Sequence, residues 1–101
     1  MKTMIIDDLG WQLKDTGEYY TWQEAMDYAL SLGDGWRLPT IKELISFYEL
    51  ACKNKNLRLS SYWSSSPITV PSCQAWYINP CYVGLSDKDN HYHVRCVRDV
   101  K

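Results

Sequence analysis

Cysteine, histidine and clustered acid are the residue types in this chain with the chemistry to make a metal or catalytic site. The cysteines are Cys52, Cys73, Cys81 and Cys96, and their separations of 21, 8 and 15 positions contain no C-x-x-C pair. A zinc ribbon uses such pairs to present two thiolates to one tetrahedral ion, so that class does not fit. His91 and His93 stand two apart, which puts both on one face of an extended strand. Arg95 continues that face, and Tyr92, Val94 and Cys96 take the other. Two histidines at this spacing hold a metal only with a third ligand, which Cys81, Asp87 or Asp89 would have to bring in from a loop. The plainer expectation is a pair of outward-facing strand histidines, with the charge state open near neutral pH. Asp87-Lys88-Asp89-Asn90 gathers three oxygen-bearing side chains in four residues, short of the roughly six to eight hard oxygen ligands that calcium takes. No nucleophile–base pair, phosphate loop or framed carboxylate pair is signalled. The expectation is a protein with no bound metal, no cofactor and no catalytic centre.

Helices and strands must position whatever these residues do. Thr21-Trp22-Gln23-Glu24 and Thr40-Ile41-Lys42-Glu43 are both capping boxes, each with a threonine to accept first-turn amides and a glutamate to reach back. The first predicts a helix to about Leu32, with Trp22, Ala25, Met26, Ala29 and Leu30 on the buried stripe, stopped by Gly33-Asp34-Gly35. The second predicts a helix from Ile41 to about Cys52, with Ile41, Leu44, Ile45, Tyr48 and Cys52 facing the core. Pro39 fixes its own φ and pushes Leu38 toward an extended conformation, so Trp36 and Leu38 share a face and Arg37 takes the other.

Residues 4–15 read as a strand or hairpin turning at Asp7-Asp8-Leu9-Gly10, with Asp15-Thr16-Gly17 as the break. After the basic stretch Lys53–Arg58 the pattern shifts to period two. Strands are expected at Tyr62–Ser65, Ala75–Asn79, Tyr82–Leu85 and Tyr92–Arg98, with a turn at Asn79-Pro80 and a polar loop over Ser86–Asn90. If Asn79-Pro80 turns a hairpin, Cys81 falls opposite Ile78 and Cys73 near Ser86. The order predicts one α+β domain spanning residues 1–101.

Net charge is −1, which argues against nucleic acid as the default partner. Residues 1–35 carry two lysines against seven acids, whereas residues 36–58 carry five basic residues against two acids, a polarity able to orient a protein partner. No apolar run approaches the ~18 residues of a membrane span. The first eight residues lack the ~7–15-residue apolar core of a secretory signal. With Met1 as the natural start, the expected location is the cytoplasm of a cell or a virion. The chain holds five Trp and eight Tyr but one Phe, rings with polar handles that suit wet core edges and recognition surfaces alike.

Trp36-Arg37-Leu38-Pro39-Thr40-x-x-Glu43-Leu44, following a Thr21-Trp22-x-x-Ala25 helix, resembles the C-type-lectin-like domains of bacteria and phages. It is most similar to the family named after the C-terminal domain of the Legionella collagen-like adhesin. Tyr62-Trp63-Ser64-Ser65-Ser66, Ala75-Trp76-Tyr77 and Val94-Arg95-Cys96-Val97-Arg98-Asp99 extend the likeness from about Gly17 to Asp99. Formylglycine-generating enzymes share an Arg-Leu-Pro-Thr helix start, but the cysteine pair those enzymes use late in a longer domain is not reproduced by Cys96 alone. The calcium triplets of true C-type lectins have no match either: Asn79-Pro80 is followed by Cys81, and Trp63 by serines. Many relatives join a first-helix cysteine to one in the last strand. Cys96 fits the second position, but Tyr28, Ala29 and Leu30 occupy the first, which implies free thiols in a reducing compartment.

The resemblance implies that the variable loops of the second half form the recognition face. Tyr77, Tyr82, His91, Tyr92 and His93 are the candidate contact residues there, with Trp76 expected in the core. The expected function is a non-enzymatic binding module, a small intracellular, phage or mobile-element protein that engages a protein partner. The alternative is an adhesin or virion module that recognises a glycan or host receptor. No membrane association is expected, and the oligomeric state is open.

Overall fold

The computed structural model describes residues 3–12, 17–53, 60–66, 73–80 and 82–100. In chain order these form β1 (Thr3–Ile6), β2 (Leu9–Gln12), α1 (Trp22–Ser31), α2 (Ile41–Lys53), β3 (Tyr62–Trp63), β4 (Gln74–Ile78), β5 (Val83–Asp87) and β6 (Val97–Asp99). The arrangement is α+β, with one antiparallel sheet in the order β1-β2-β6 and another in the order β3-β4-β5.

The first hairpin turns on Asp7 and Asp8 alone, both in the left-handed region at φ 52° and 65°. Aspartate tolerates that conformation, and two such residues match the twist of the flanking strands. The turn is therefore shorter than the sequence pattern suggests: Leu9 and Gly10 already pair with Ile6 and Ile5. The expected continuation through Leu13 and Lys14 lies outside the described residues. Strand β6 pairs with β2, through Trp11↔Val97 and Gly10↔Arg98, and so leaves the second-half meander to close on the N-terminal hairpin.

Both capping boxes are present. The Glu24 amide donates to Thr21 Oγ1 at 3.3 Å while the Thr21 amide donates to Glu24 Oε1 at 2.9 Å. The Glu43 amide donates to Thr40 Oγ1 at 3.2 Å, and the Thr40 amide to Glu43 Oε1 at 2.8 Å. The second box is reinforced from elsewhere in the chain. Arg37 forks onto both Glu43 oxygens at 2.8 and 2.9 Å, and Ser66 Oγ takes the Ile41 amide at 2.7 Å.

Each helix is rotated slightly from the stripe its sequence suggests. In α1 Ala25 and Ala29 are buried and Trp22 and Met26 are half-buried, but Leu30 is 74% exposed. In α2 the core face is Leu44, Phe47 and Ala51, flanked by Ile41 and Tyr48, and Ile45 faces outward. Phe47 is drawn in because its ring stacks on Trp11 at 4.8 Å. The side chain of Cys52 lies outside the described residues.

Two apolar clusters result. One joins β2, α2, Tyr62, Ile78 and Val97; the other joins α1, Leu38, Trp63, Ala75, Tyr77, Val94 and Cys96. Arg95 is buried between elements, donating to the Gln12 carbonyl at 2.9 Å and to Tyr62 Oη at 3.2 Å, with its guanidinium over the Phe47 and Tyr62 rings. The expected strand Tyr92–Arg98 is thereby interrupted. Tyr92 bridges to Tyr20 and His93 to Tyr62, residues 94–96 are irregular, and regular pairing resumes only at Val97. Residues 93–97 are all buried, because partners close on that segment from several sides and no solvent face remains.

Candidate functional site

The β4–β5 hairpin and the segment around Tyr92 bring three of the candidate rings together. Tyr77, on the inner face of β4, stacks on Tyr92 with centroids 4.5 Å apart and planes 9° from parallel. Trp63 meets Tyr92 edge-on at 4.8 Å and closes the stack on the core side. The Tyr77 hydroxyl donates to Tyr82 Oη at 2.6 Å, and the Tyr82 ring stands edge-on to Tyr77 at 5.9 Å. That hydrogen bond, and then burial, hold the Tyr77 phenol well above the ordinary tyrosine range, so it remains a neutral donor. Tyr77 is buried, Tyr92 is half-buried and Tyr82 is 57% exposed. The three rings thus run from core to solvent.

Polar side chains fix the set. Asn79 accepts the Tyr82 amide on Oδ1 at 2.9 Å and donates from Nδ2 to Tyr77 Oη at 3.4 Å. Its own amide donates to the Tyr82 carbonyl at 3.0 Å. The turn is therefore a four-residue one closed by Asn79 and Tyr82, with Ile78 opposite Val83, where the sequence had placed Cys81. Cys73 lies beside Lys88, whose amide donates to the Cys73 carbonyl at 2.7 Å, while Ser86 pairs with Ala75. Ser86 Oγ shares a hydrogen with Tyr92 Oη at 2.8 Å and accepts from Asn90 Nδ2 at 2.7 Å. Gly84 leaves room for the exposed ring, since a Cβ there would stand 3.0 Å from Tyr82 Cε2. Asn79 carried a turn signal in the sequence; Ser86 and Asn90 carried none that pointed to this role.

The two histidines do not share a face. His91 is exposed, whereas His93 is 2% exposed. Its Nδ1 lies 3.0 Å from the Glu18 carbonyl, its ring packs on Tyr19 at 4.2 Å, and its amide donates to the Ser61 carbonyl at 2.9 Å. The expectation of two outward-facing histidines is corrected: the Tyr20 and Tyr62 bridges turn His93 inward. Trp76, expected in the core, is half-buried on the opposite face of β4 from Tyr77.

Asn90 of the acidic loop bonds back to Ser86, and Lys88 Nζ lies over the Trp22 ring at 4.4 Å. Among the described residues, no group of three or more histidine, cysteine or acidic side chains is arranged to hold a metal. Cys73 is exposed and Cys96 buried, and both are free thiols; burial pushes the Cys96 thiol up to about 12. Beside the tyrosines an apolar groove of about 250 Å³ runs between α2 and the hairpin tip, lined by Ile45, Tyr48, Ile78, Pro80, Tyr82 and Val83.

A sequence profile described as the Lcl C-terminal domain matches residues 5–98. The chain belongs to the Lcl C-terminal domain family. This Lcl-type domain also aligns along its length with solved C-type-lectin-like proteins, which establishes a C-type-lectin-like fold. The snake venom toxin convulxin superposes with a TM-score of 0.71 at 10% identity, covering 98% of this chain and 96% of the toxin. EMS16, an antagonist of collagen receptor integrin alpha2beta1, gives a TM-score of 0.63 at 15% identity, covering 98% and 97%. Rhodocetin gives a TM-score of 0.59 at 13% identity, covering 96% of each chain. No curated protein matches the sequence. Among the described residues, no helix of the Lcl-type domain is long and apolar enough to cross a membrane.

Proposed function

We propose that this domain is a non-enzymatic binding module that engages a protein partner through the second-half aromatic loops, with Tyr82 and His91 on the contact face. The observation that carries the reading is the anchoring of an exposed ring from beneath. Tyr82 is offered to solvent, yet its hydroxyl and backbone are tied to Tyr77 and Asn79, and Tyr77 is itself clamped by Tyr92. A ring ordered before contact loses little entropy on binding, which is how amphipathic aromatics become interface anchors. Tyr77, Tyr92 and His93 support that face from below.

A protein partner is favoured by the apolar groove continuous with Tyr82, since a ring and a groove together fit side chains better than a hydroxyl-rich ligand. The absence of a recognisable nucleophile–base frame among the described residues supports a role without turnover. The free thiols of Cys73 and Cys96 support a reducing location, inside a cell or in a virion assembled there.

The experiment is a pull-down from cytosol set beside a glycan-binding screen, each with the parent, Tyr82→Ala and Tyr82→Phe proteins. Truncating Tyr82 is expected to weaken partner binding by about 1–3 kcal/mol with a native circular dichroism spectrum, and a chelator is expected to leave affinity unchanged. Binding that is confined to glycans, or that collapses with chelator and returns with calcium, overturns the reading in favour of a sugar-binding adhesin.

A further inference from the structure

Among the described residues, strand β5 is an edge of its sheet, and its outer side carries features that fit a second copy of itself. The β4–β5 ladder fixes which backbone groups face outward. Lys88 donates to the Cys73 carbonyl, and Asn79 donates to the Tyr82 carbonyl. Antiparallel pairs alternate between bonded and non-bonded positions, so Tyr82, Gly84, Ser86 and Lys88 turn their backbone groups toward β4, and Val83, Leu85 and Asp87 turn theirs away. Among the described residues, the outward carbonyl of Asp87 accepts the Asn90 amide at 3.0 Å, and no backbone bond reaches the outward groups of Val83 and Leu85.

Natural sheets blunt such an edge with proline, lysine, a bulge or a covering segment. Residues Val83–Asp87 contain neither proline nor lysine and pair with β4 without a bulge. Their outward side chains are apolar where the strand is centred: Leu85 is 43% exposed and Val83 is exposed beside it. Directly opposite residues in a ladder share a face, so half-buried Trp76 stands next to Leu85 on that same side.

We propose that two copies of this chain associate through β5, antiparallel about a two-fold axis at Leu85, to join their three-stranded sheets into one of six strands. A second copy is favoured because pairing about Leu85 sets apolar side chains together at the centre and keeps the two Asp87 carboxylates apart. The outward positions 83, 85 and 87 are symmetric about Leu85, so the axis pairs Leu85 with Leu85 of the second copy and Val83 with Asp87 of the second copy. Every outward position then meets another outward position, as an isologous contact requires. The pairing also sets Trp76, Leu85, Leu85 of the second copy and Trp76 of the second copy in one apolar row across the axis. The charges agree with it. Asp87, the one ionised residue of the strand, lies across from an apolar valine, and its counterpart sits at the far end of the ladder, so no like charges face each other. A net charge of −1 adds little repulsion. A five-residue strand with one flanking row falls below the ~1,200 Å² of a standard stable interface, so the dimer is a reversible, concentration-dependent one. The pairing leaves Tyr82 on the other face of the hairpin, turned toward Tyr77, and shares Val83 with the apolar groove beside it.

Sedimentation across a hundredfold concentration range tests it. The apparent mass is expected to rise from the 11.8 kDa of one chain toward twice that value, and Leu85→Lys, which sets two ammonium groups across the axis, is expected to hold it at one chain with an unchanged far-UV spectrum. Register is tested by crosslinking. Bonded pairs place their Cα atoms about 5.5 Å apart, inside the ~4.4–6.8 Å that a disulfide spans. In a background where all four native cysteines are replaced by serine, Leu85→Cys is expected to form a covalent dimer under mild oxidation, and Val83→Cys is not. A single-chain mass at every concentration overturns the proposal and leaves the edge to an extended segment of another protein. A dimer indifferent to Leu85→Lys, or crosslinking by Val83→Cys in preference to Leu85→Cys, overturns it as well. Partner binding by the monomeric Leu85→Lys protein is read separately, so loss of the dimer and loss of the tyrosine site are distinguishable.

Discussion

Replacing Glu43 by alanine removes the acceptor on which the start of α2 converges. Its carboxylate takes the Thr40 amide at 2.8 Å and both Arg37 guanidinium nitrogens at 2.8 and 2.9 Å. The cap contribution alone is about 1 kcal/mol. The forked pair adds about 1 kcal/mol after screening, because Arg37 is partly solvated and can fall back on Asp99 at 3.4 Å and on water. The expected loss is about 2 kcal/mol, which for a domain of this size lowers Tm by roughly 10 °C. Thr40→Ala removes only the cap and is expected to cost about half as much. The pH dependence separates this network from mere packing. Burial pushes the Glu43 carboxyl up, but the Arg37 hydrogen bonds and the Thr40 amide outweigh it and pull it below its ordinary 4.5. A depressed carboxyl stabilises the fold fully above its unfolded value and loses that contribution as pH falls through the folded one. The gap between parent and Glu43→Ala is therefore expected to be constant near neutrality and to close as pH drops below about 4.5. Thermal melts by circular dichroism over that range measure it. A mutant that melts with the parent at neutral pH, or a gap that persists undiminished in acid, refutes the reasoning.

Mass spectrometry of protein purified without reductant and alkylated after denaturation is expected to show four modified cysteines; a quantitative cross-link would place the chain in an oxidising compartment. Under native conditions the buried Cys96 is expected to resist alkylation, which its high thiol pKa reinforces, while Cys73 reacts. Gly84→Ala is expected to preserve the fold, since the clash falls on the exposed Tyr82 ring and not on backbone, but to weaken partner binding by displacing that ring.

What the sequence made legible is what local chemistry determines. Both capping boxes were readable because a threonine and a glutamate three residues later complete the motif without reference to the rest of the chain. The free edge of β5 was not readable, because it depends on register. A four-residue turn closed by Asn79 in place of a tight Asn79-Pro80 turn changes which residues pair, and with them which backbone groups point outward. The helix faces erred for a related reason. Leu30 and Ile45 satisfy the helical period as well as their neighbours do, but the surface that receives each helix is supplied by distant residues, Trp11 for Phe47 above all. His93 shows the limit most plainly. Alternation assigns it to solvent, yet its neighbours Tyr19 and Tyr62 come from both halves of the chain and close over it.

The abundance of tyrosine over phenylalanine admitted two readings, wet core or recognition surface, and the fold joins them. Tyr62 accepts from buried Arg95 and Tyr28 from buried Gln12, so those hydroxyls satisfy polar groups that the core could not otherwise hold. Tyr77 is held by its ring, which stacks on Tyr92, and passes a hydrogen bond from its hydroxyl to an exposed ring. Rigidity at the surface is thus inherited from packing beneath it. A phenylalanine at position 77 would keep the stack on Tyr92 and lose the tether to Tyr82 together with the long 3.4 Å contact from Asn79 Nδ2, so Tyr77→Phe is the substitution that separates the two roles. If pre-organisation is what makes Tyr82 an anchor, that mutant remains close to the parent in stability and binds its partner more weakly, with a faster off-rate. Equal affinity in the two proteins would mean that the ring is ordered by the partner and not by the fold.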